Sequence, residues 1–230
     1  MTLNVNGTEM SLVYANGTRM EVVNVNGTEV YRAENGGVTM VYTGSSNGTF
    51  SPGAEDVNRH FVLVGVRFSG SGLSQPTTPT VNGTPMTLIT RGSSGVADDG
   101  GISGVYTIKI PTGTGTFTVA QGGTAFTYIA IYRVTGIYAM TTSTALSTQT
   151  RNGSISDIQA SSSNGCFFGG SVTNFGTPSF PSPNSAGLTY TAPSAQGRIA
   201  ASNVTTGPTQ LVQLNGNQIN SYAIFGYNLF

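Results

Sequence analysis

Side-chain catalysis needs a nucleophile, an acid–base group or a set of metal ligands, and this chain holds few of each. There is one histidine, His60, beside Arg59 at the expected start of a strand. A Ser-His-Asp hydrolase needs its imidazole set between a hydroxyl and a carboxylate. His60 has no carboxylate pair near it in sequence, so it reads as a structural hydrogen-bonding group. Glycoside hydrolysis needs two carboxyl groups at a fixed separation, and the large C-terminal region holds only Asp98, Asp99 and Asp157, with Glu55 and Asp56 at its edge. Asp98 and Asp99, in the loop RGSSGVADDGGISG, are the candidate Ca²⁺ ligands, since that ion takes oxygen donors; paired Asp residues in a turn more commonly just build the turn. The single cysteine, Cys166, allows neither an intrachain disulfide nor a thiolate cluster, and beside Phe167 and Phe168 it reads as a small buried hydrophobe. GSSG and GTGTG lack the lysine and the strand-to-helix context of a phosphate loop. No catalytic residue and no cofactor is expected.

Composition narrows the partners. Lys, Arg, Asp and Glu make up 8% of the 230 residues, with nine basic and nine acidic side chains and zero formal net charge, against roughly 25% charged residues in ordinary soluble proteins. Without a basic surface, nucleic acid and anionic membranes are not expected partners. From Ile158 to Phe230 the one charged residue is Arg198, so solubility there rests on amides and hydroxyls. MTLNVNGTEM has neither the basic nor the apolar segment of a signal peptide, and no run reaches the roughly 18 apolar residues of a membrane-spanning helix. Synthesis in a cytoplasm, without ordinary export or membrane insertion, is the expectation.

The elements that would position these residues are strands. Thirty-two glycines and ten prolines punctuate the chain, and no helical periodicity extends over a helix-length window. The organising stretch is Gly104 to Gly136. Tyr106, Ile108 and Ile110 share one face of a strand ended by Pro111; Phe117 and Val119 share one face of a second. In a third, Phe126, Tyr128, Ala130, Tyr132 and Val134 alternate with Ile129 and Ile131. Both of its faces are apolar, which predicts a central strand covered on two sides. The three are expected to form a meander. Upstream, Val62, Val64, Val66 and Phe68 line one face of another strand, and QPTTPTVNGTPMTLITR predicts an edge hairpin about Asn82-Gly83. About ten strands after Arg59 predict an all-β antiparallel two-sheet sandwich, jelly-roll or Ig-like, over 59–230.

Ahead of it, Asn6-Gly7-Thr8, Asn16-Gly17-Thr18 and Asn26-Gly27-Thr28 recur every ten residues. Asn-Gly is the strongest short signal for a type I′ turn, because both central residues need positive φ; the triplets also fit the N-glycosylation pattern, and the turn reading is preferred. Residues 1–33 therefore predict a β-hairpin repeat, drawn as four short strands in a meander. So small a sheet buries one face at best and must lean on a partner or on the larger domain, unless it is a solvated stack. Tyr14, Arg19, Glu21, Glu29, Tyr31 and Arg32 are the candidate docking residues. Residues 34–58, rich in Gly, Ser and Asn, predict a linker holding one short strand, VTMVYT.

Taken together, VNGTEM, ANGTRM, VNGTEV and EVYRA resemble the N-terminal segments of small tailed-phage virion proteins. The run from HFVLVGVRFSG through TVNGTPMTLITR to GVYTIKIPTGTGTFTVAQGG and AFTYIAIYRVTG is similar to a β-sandwich domain of phage and prophage virion proteins. The resemblance implies a non-enzymatic protein on the outer surface of a virion assembled in the host cytoplasm, with the repeat docked on other virion proteins and the sandwich displayed. A tail-associated fibre or adhesin, homo-oligomeric and touching a host-surface glycan, is the leading expectation. A capsid decoration protein and a free carbohydrate-binding lectin-like module are the alternatives, and a hydrolase comes last.

Overall fold

In the computed structural model the backbone is described for residues 3–5, 8–10, 14–15, 18–19, 22–25, 28–32, 37–56, 58–69, 75–93, 100–135, 141–149, 158–160, 165–182, 188–191, 193, 196–202 and 210–228, and side chains for narrower stretches within 37–135, 166–202 and 219–226. Every regular element among them is a strand, and every pairing is antiparallel. In chain order they are β1 (Leu3–Val5), β2 (Thr8–Met10), β3 (Tyr14–Ala15), β4 (Thr18–Arg19), β5 (Val22–Val25), β6 (Thr28–Arg32), β7 (Gly37–Gly44) and β8 (Gly48–Phe50). Then come β9 (His60–Ser69), β10 (Thr80–Val81), β11 (Thr84–Pro85), β12 (Thr87–Ser93), β13 (Gly100–Lys109), β14 (Phe117–Ala120) and β15 (Tyr128–Thr135). The rest are β16 (Thr141–Gln149), β17 (Ile158–Ala160), β18 (Gly165–Ser182), β19 (Thr189–Thr191), β20 (Gly197–Ala201) and β21 (Gln210–Asn228).

Three sheets make the body. A four-stranded sheet has the order β11-β10-β14-β8, a five-stranded sheet β12-β13-β9-β15-β7, and a six-stranded sheet β16-β21-β18-β20-β19 with β17 on β21. Strand periodicity sorts the apolar side chains onto their faces. On β9, Phe61 and Leu63 join Phe50, Val81, Phe117 and Val119 in one core between the four- and five-stranded sheets. Val62, Val64 and Val66 point the other way, into a second core with Cys166, Phe168, Val172, Ala223 and Phe225 of the six-stranded sheet. The antiparallel sandwich is thus built twice, with the five-stranded sheet as the shared middle layer. The two apolar faces of β15 have their explanation here: Ala130, Tyr132 and Val134 enter one core, Ile129 and Ile131 the other.

Four expectations need correction. The linker assigned to 34–58 holds two strands of the body. β7 pairs with β15 at the edge of the middle sheet, and β8 pairs with β14 in the four-stranded sheet. The Gly/Ser/Asn composition belongs to the turn between them, where the chain changes sheets and the Tyr42 hydroxyl donates to the Asn47 carbonyl at 2.9 Å. Nor do β13, β14 and β15 form a meander. β9 lies between β13 and β15, while β14 crosses to the four-stranded sheet, because Phe117 and Val119 bury only one face. Phe126 precedes β15 and packs into the core of Ile129, opposite the face assigned to it. Its ring lies over Gly65 and Gly104, which are directly paired across β9 and β13; an ideal Cβ on either glycine would come within 2.4 Å or 2.7 Å of that ring. Finally, the N-terminal repeat is three separate two-stranded hairpins, β1-β2, β3-β4 and β5-β6. The last pairs of the three ladders are Val5↔Thr8, Ala15↔Thr18 and Val25↔Thr28; the Asn-Gly dipeptides between them lie outside the described residues. Asn82 and Gly83 have φ of 49° and 77° and join β10 to the edge strand β11, as the sequence predicts.

Candidate functional site

Polar chemistry gathers at the rim where β9 begins. Arg59 is fully buried and donates all five of its N–H groups to backbone carbonyls. Nε bonds Ile110 (2.8 Å), Nη1 bonds Gly53 (3.1 Å) and Ala54 (2.9 Å), and Nη2 bonds Thr112 (2.7 Å) and Gly113 (2.8 Å). Its guanidinium carbon lies 5.5 Å from the ring centres of Phe61 and Phe117, a cation–π arrangement. Burial lowers its pKa, opposed chiefly by the Glu55 carboxylate, and an arginine so placed stays charged. Glu55 also accepts the Gly113 N–H at 2.5 Å. With every donor used, Arg59 clasps the 53–54 and 110–113 segments together and offers nothing to a substrate. His60 stands next to it. Its Nδ1 contacts the Asn58 carbonyl at 2.7 Å, and burial lowers its pKa, opposed by that hydrogen bond.

The groups deepest in the body are likewise occupied or shielded. Tyr132 is fully buried, donates its hydroxyl to the Leu188 carbonyl at 2.8 Å, and has its pKa raised by burial. Cys166 is buried and free, and burial pushes its thiol up to about 12, so it is no nucleophile near neutrality. Ser103 of β13 and Ser221 of β21 face each other at 2.9 Å between the middle and six-stranded sheets, a polar stitch with no base beside it. Among the described residues no three His, Cys, Asp or Glu side chains form a group that could hold a metal.

At the opposite end, where β9 ends and β15 begins, the accessible surface carries aromatic rings. Phe68, Tyr128 and Tyr190 are half-buried and stand in series. Phe68 meets Tyr128 edge-on at 6.5 Å, and Tyr128 meets Tyr190 edge-on at 6.5 Å. Phe68 and Tyr128 belong to the middle sheet and Tyr190 to β19 at the edge of the six-stranded sheet, so the strip bridges two layers. All three rings pack against the core that holds Val66, Ala130 and Ile199. Thr43, paired with Ala130, and Thr127 are exposed, whereas Thr189 and Thr191 alternate with Tyr190 onto the other face of the six-stranded sheet, where Arg198 donates to the Thr191 hydroxyl. Burial raises the Tyr190 pKa, helped by Tyr128 and Tyr42.

The residues singled out in the sequence fall elsewhere. Asp98, Asp99, Asp157 and Glu21 lie outside the described residues. Tyr14 and Arg19 are cross-strand partners in the second hairpin. Tyr31 pairs with Val23, Arg32 with Val22 and Glu29 with Asn24 in the third. Sequence reasoning missed the Arg59 clasp, whose only trace was a lone cation at the head of an apolar strand. It also missed the aromatic strip, whose neighbouring members are 60 or more residues apart in sequence and meet only through the pairing of sheets. No family model, no curated protein and no solved structure matches this chain.

Proposed function

We propose that this chain is a non-enzymatic virion surface protein of tailed-phage type, tail-associated, with the 1–33 hairpin repeat as its anchor and the three-layer sandwich displayed toward the host. The observation that carries this reading is the contrast in strand pairing. Among the described residues, strands β1 to β6 pair within their own hairpins, whereas β7 onward build sheets with one another. Isolated two-stranded hairpins are marginal in water, so three of them at ten-residue intervals are stable when laid on a partner. The repeat suits a partner with a repeating or symmetric surface, and homo-oligomerisation with cyclic symmetry fits a fibre or tail tip. The resemblance noted above supports the same assignment. The displayed body is suited to persistence outside a cell: its middle layer is covered on both faces and its single thiol is buried.

The test is immunogold electron microscopy of intact particles with an antibody against the sandwich, coupled to a shortened chain beginning at Gly37. The cut falls there because β7, β8 and the carbonyls that hold Arg59 belong to the sandwich. Gold at the tail, and loss of the shortened but folded chain from particles, is the expected result. Gold spread over heads makes the protein a capsid decoration, and incorporation of the shortened chain moves the anchor out of the repeat.

A further inference from the structure

We infer that the first hairpin, β1–β2, docks on a second copy of this chain, adding β1 to the outer edge of that copy's β8 in the way β10–β11 adds to β14 within each molecule. This rests on the reading of residues 1–33 as a docking repeat, and it leaves the second and third hairpins to the particle.

The body already holds a docked hairpin of this kind. Val5-Asn6-Gly7-Thr8-Glu9-Met10 and Val81-Asn82-Gly83-Thr84-Pro85-Met86 differ at one position of six, and their backbone registers agree. Val5 is opposite Thr8 as Val81 is opposite Thr84; Leu3 is opposite Met10, and the Met86 N–H donates to the Pro79 carbonyl at 2.9 Å. In the body hairpin Val81 and Met86 are buried in the core between the four- and five-stranded sheets, while Asn82, Thr84 and Pro85 are exposed. Its first strand pairs with β14, Thr80 with Ala120 and Val81 with Val119. Asn82 carries that ladder into the turn: its N–H donates to the Thr118 carbonyl and its side-chain oxygen accepts the Thr118 N–H, both at 2.8 Å. The motif is thus an edge hairpin whose Val and Met enter a core and whose Asn fastens the neighbouring strand.

β8 repeats the acceptor. Thr118 is paired with Thr49, and both backbone groups of Thr118 are spent on Asn82. The pair is therefore a non-hydrogen-bonded one, in which the Thr49 N–H and C=O turn away from β14. They point to the outer edge of the four-stranded sheet, where no strand pairs with β8 among the described residues. Thr49 is exposed, and Phe50 after it is buried in the same core as Val119 after Thr118. Thr49-Phe50 offers an incoming strand what Thr118-Val119 offers β10. Docking gives Asn6 the part of Asn82 opposite Thr49, and sets Val5 against Phe50 and Asn4 against Ser51. Val41 and Tyr42 of the adjoining edge strand β7 are half-buried on that core, apolar surface for Val5 and Met10 to cover. Strand addition of this type takes its affinity from main-chain hydrogen bonds and its specificity from alternate side chains. The occupant is a second copy because this chain encodes both halves of the contact. Donor and acceptor are different surfaces, so the copies join head to tail.

The experiment is sedimentation velocity on the purified full-length protein across a concentration series, in which wild type should self-associate. Val5→Lys with Met10→Lys blocks the donor. Thr49→Pro removes the outward N–H of the acceptor without costing a β8–β14 bond. Each should raise the dissociation constant about tenfold or more, whereas Ala15→Lys in the second hairpin should leave it unchanged. Mixed in equal amounts, the two blocked proteins should form a one-to-one pair, since each keeps the half that the other lacks. Independently of either block, Asn4→Cys in one chain and Ser51→Cys in another should give a disulfide between chains on oxidation, identified by mass. A monomeric wild type overturns the inference, as does unchanged association in the donor-blocked variant. So does a cross-link formed within a single chain that carries both cysteine substitutions, which would lay the hairpin on its own body. If association is lost in the donor-blocked variant while chains lacking 1–33 still enter particles, the inference holds and the anchor reading falls; a monomeric wild type whose entry into particles depends on 1–33 does the reverse.

Discussion

Arg59→Ala should be the most damaging single substitution in the four- and five-stranded half of the body. The side chain makes five hydrogen bonds of 2.7 to 3.1 Å to carbonyls in two segments. Hydrogen bonds involving a charged group each contribute about 1.5–3 kcal/mol, so a simple sum would reach the whole stability of a domain, about 5–15 kcal/mol. Water entering the space left by the guanidinium restores part of that. A net loss of about 3–5 kcal/mol remains, set by the buried carbonyls left without donors at about 1–3 kcal/mol each where water does not reach them. At about 2–4 °C per kcal/mol for a chain of this size, Tm falls by about 6–20 °C in a calorimetric scan. Arg59→Lys brings at most three donors and leaves at least two carbonyls unmet, so it should recover less than half of the loss. Methylguanidinium at low millimolar concentration should raise the Tm of Arg59→Ala and leave wild type unchanged, because it can re-enter the carbonyl cage. An Arg59→Ala Tm within about 2 °C of wild type, or a lysine variant equal to arginine, would refute the clasp.

Four other outcomes follow from particular contacts. Gly65→Ala should cost about 1–3 kcal/mol by overpacking, read in urea melts, since its Cβ would come 2.4 Å from the Phe126 ring. Tyr132→Phe removes the buried bond to the Leu188 carbonyl and should cost about 1–2 kcal/mol with no change in the far-ultraviolet spectrum. Cys166, with its thiol at about 12, should resist a disulfide-forming reagent at pH 8 in the native protein and react stoichiometrically in urea. His60 has a lowered folded-state pKa, so the unfolded chain binds its proton first. Its contribution is fully present above the unfolded value of about 6.5 and declines as pH falls below it; His60→Gln should flatten the fall in Tm between pH 7 and pH 5.

What could be read from the sequence followed from local pattern. The faces of β9, the two-sided burial of β15 and the I′ turn at Asn82-Gly83 all arise from period-two alternation or from the φ requirement of one dipeptide. What could not be read depends on which strand neighbours which. The segment 34–58 resembles a linker because its turn residues outnumber Val38 and Met40, whose burial is supplied by β15 some ninety positions away. Phe126 takes the face opposite to the one alternation predicts because it lies two residues ahead of β15, in a segment fixed instead by the Gln121 side chain accepting the Phe126 N–H at 2.9 Å. In sequence Arg59 is no more than the neighbour of a histidine; its five partners lie in two loops that sequence spacing cannot bring together. The aromatic strip has the same origin, since Tyr190 reaches Tyr128 only when the third sheet is laid on the second.

The shared middle layer also sets an order of assembly. The first core can close once β15 is made, because β7 through β15 supply both of its walls. The second cannot: Val62, Val64, Val66 and Tyr132 wait for β16 to β21, and β18 finds its long partner only in residues 210–228. During synthesis at about 5–20 residues per second, the nascent chain therefore carries a finished half with a valine-rich wall exposed for several seconds. That wall is a natural target for holding chaperones. It is also where a slowed ribosome, or a premature stop between residues 140 and 210, would turn a folding intermediate into an aggregate.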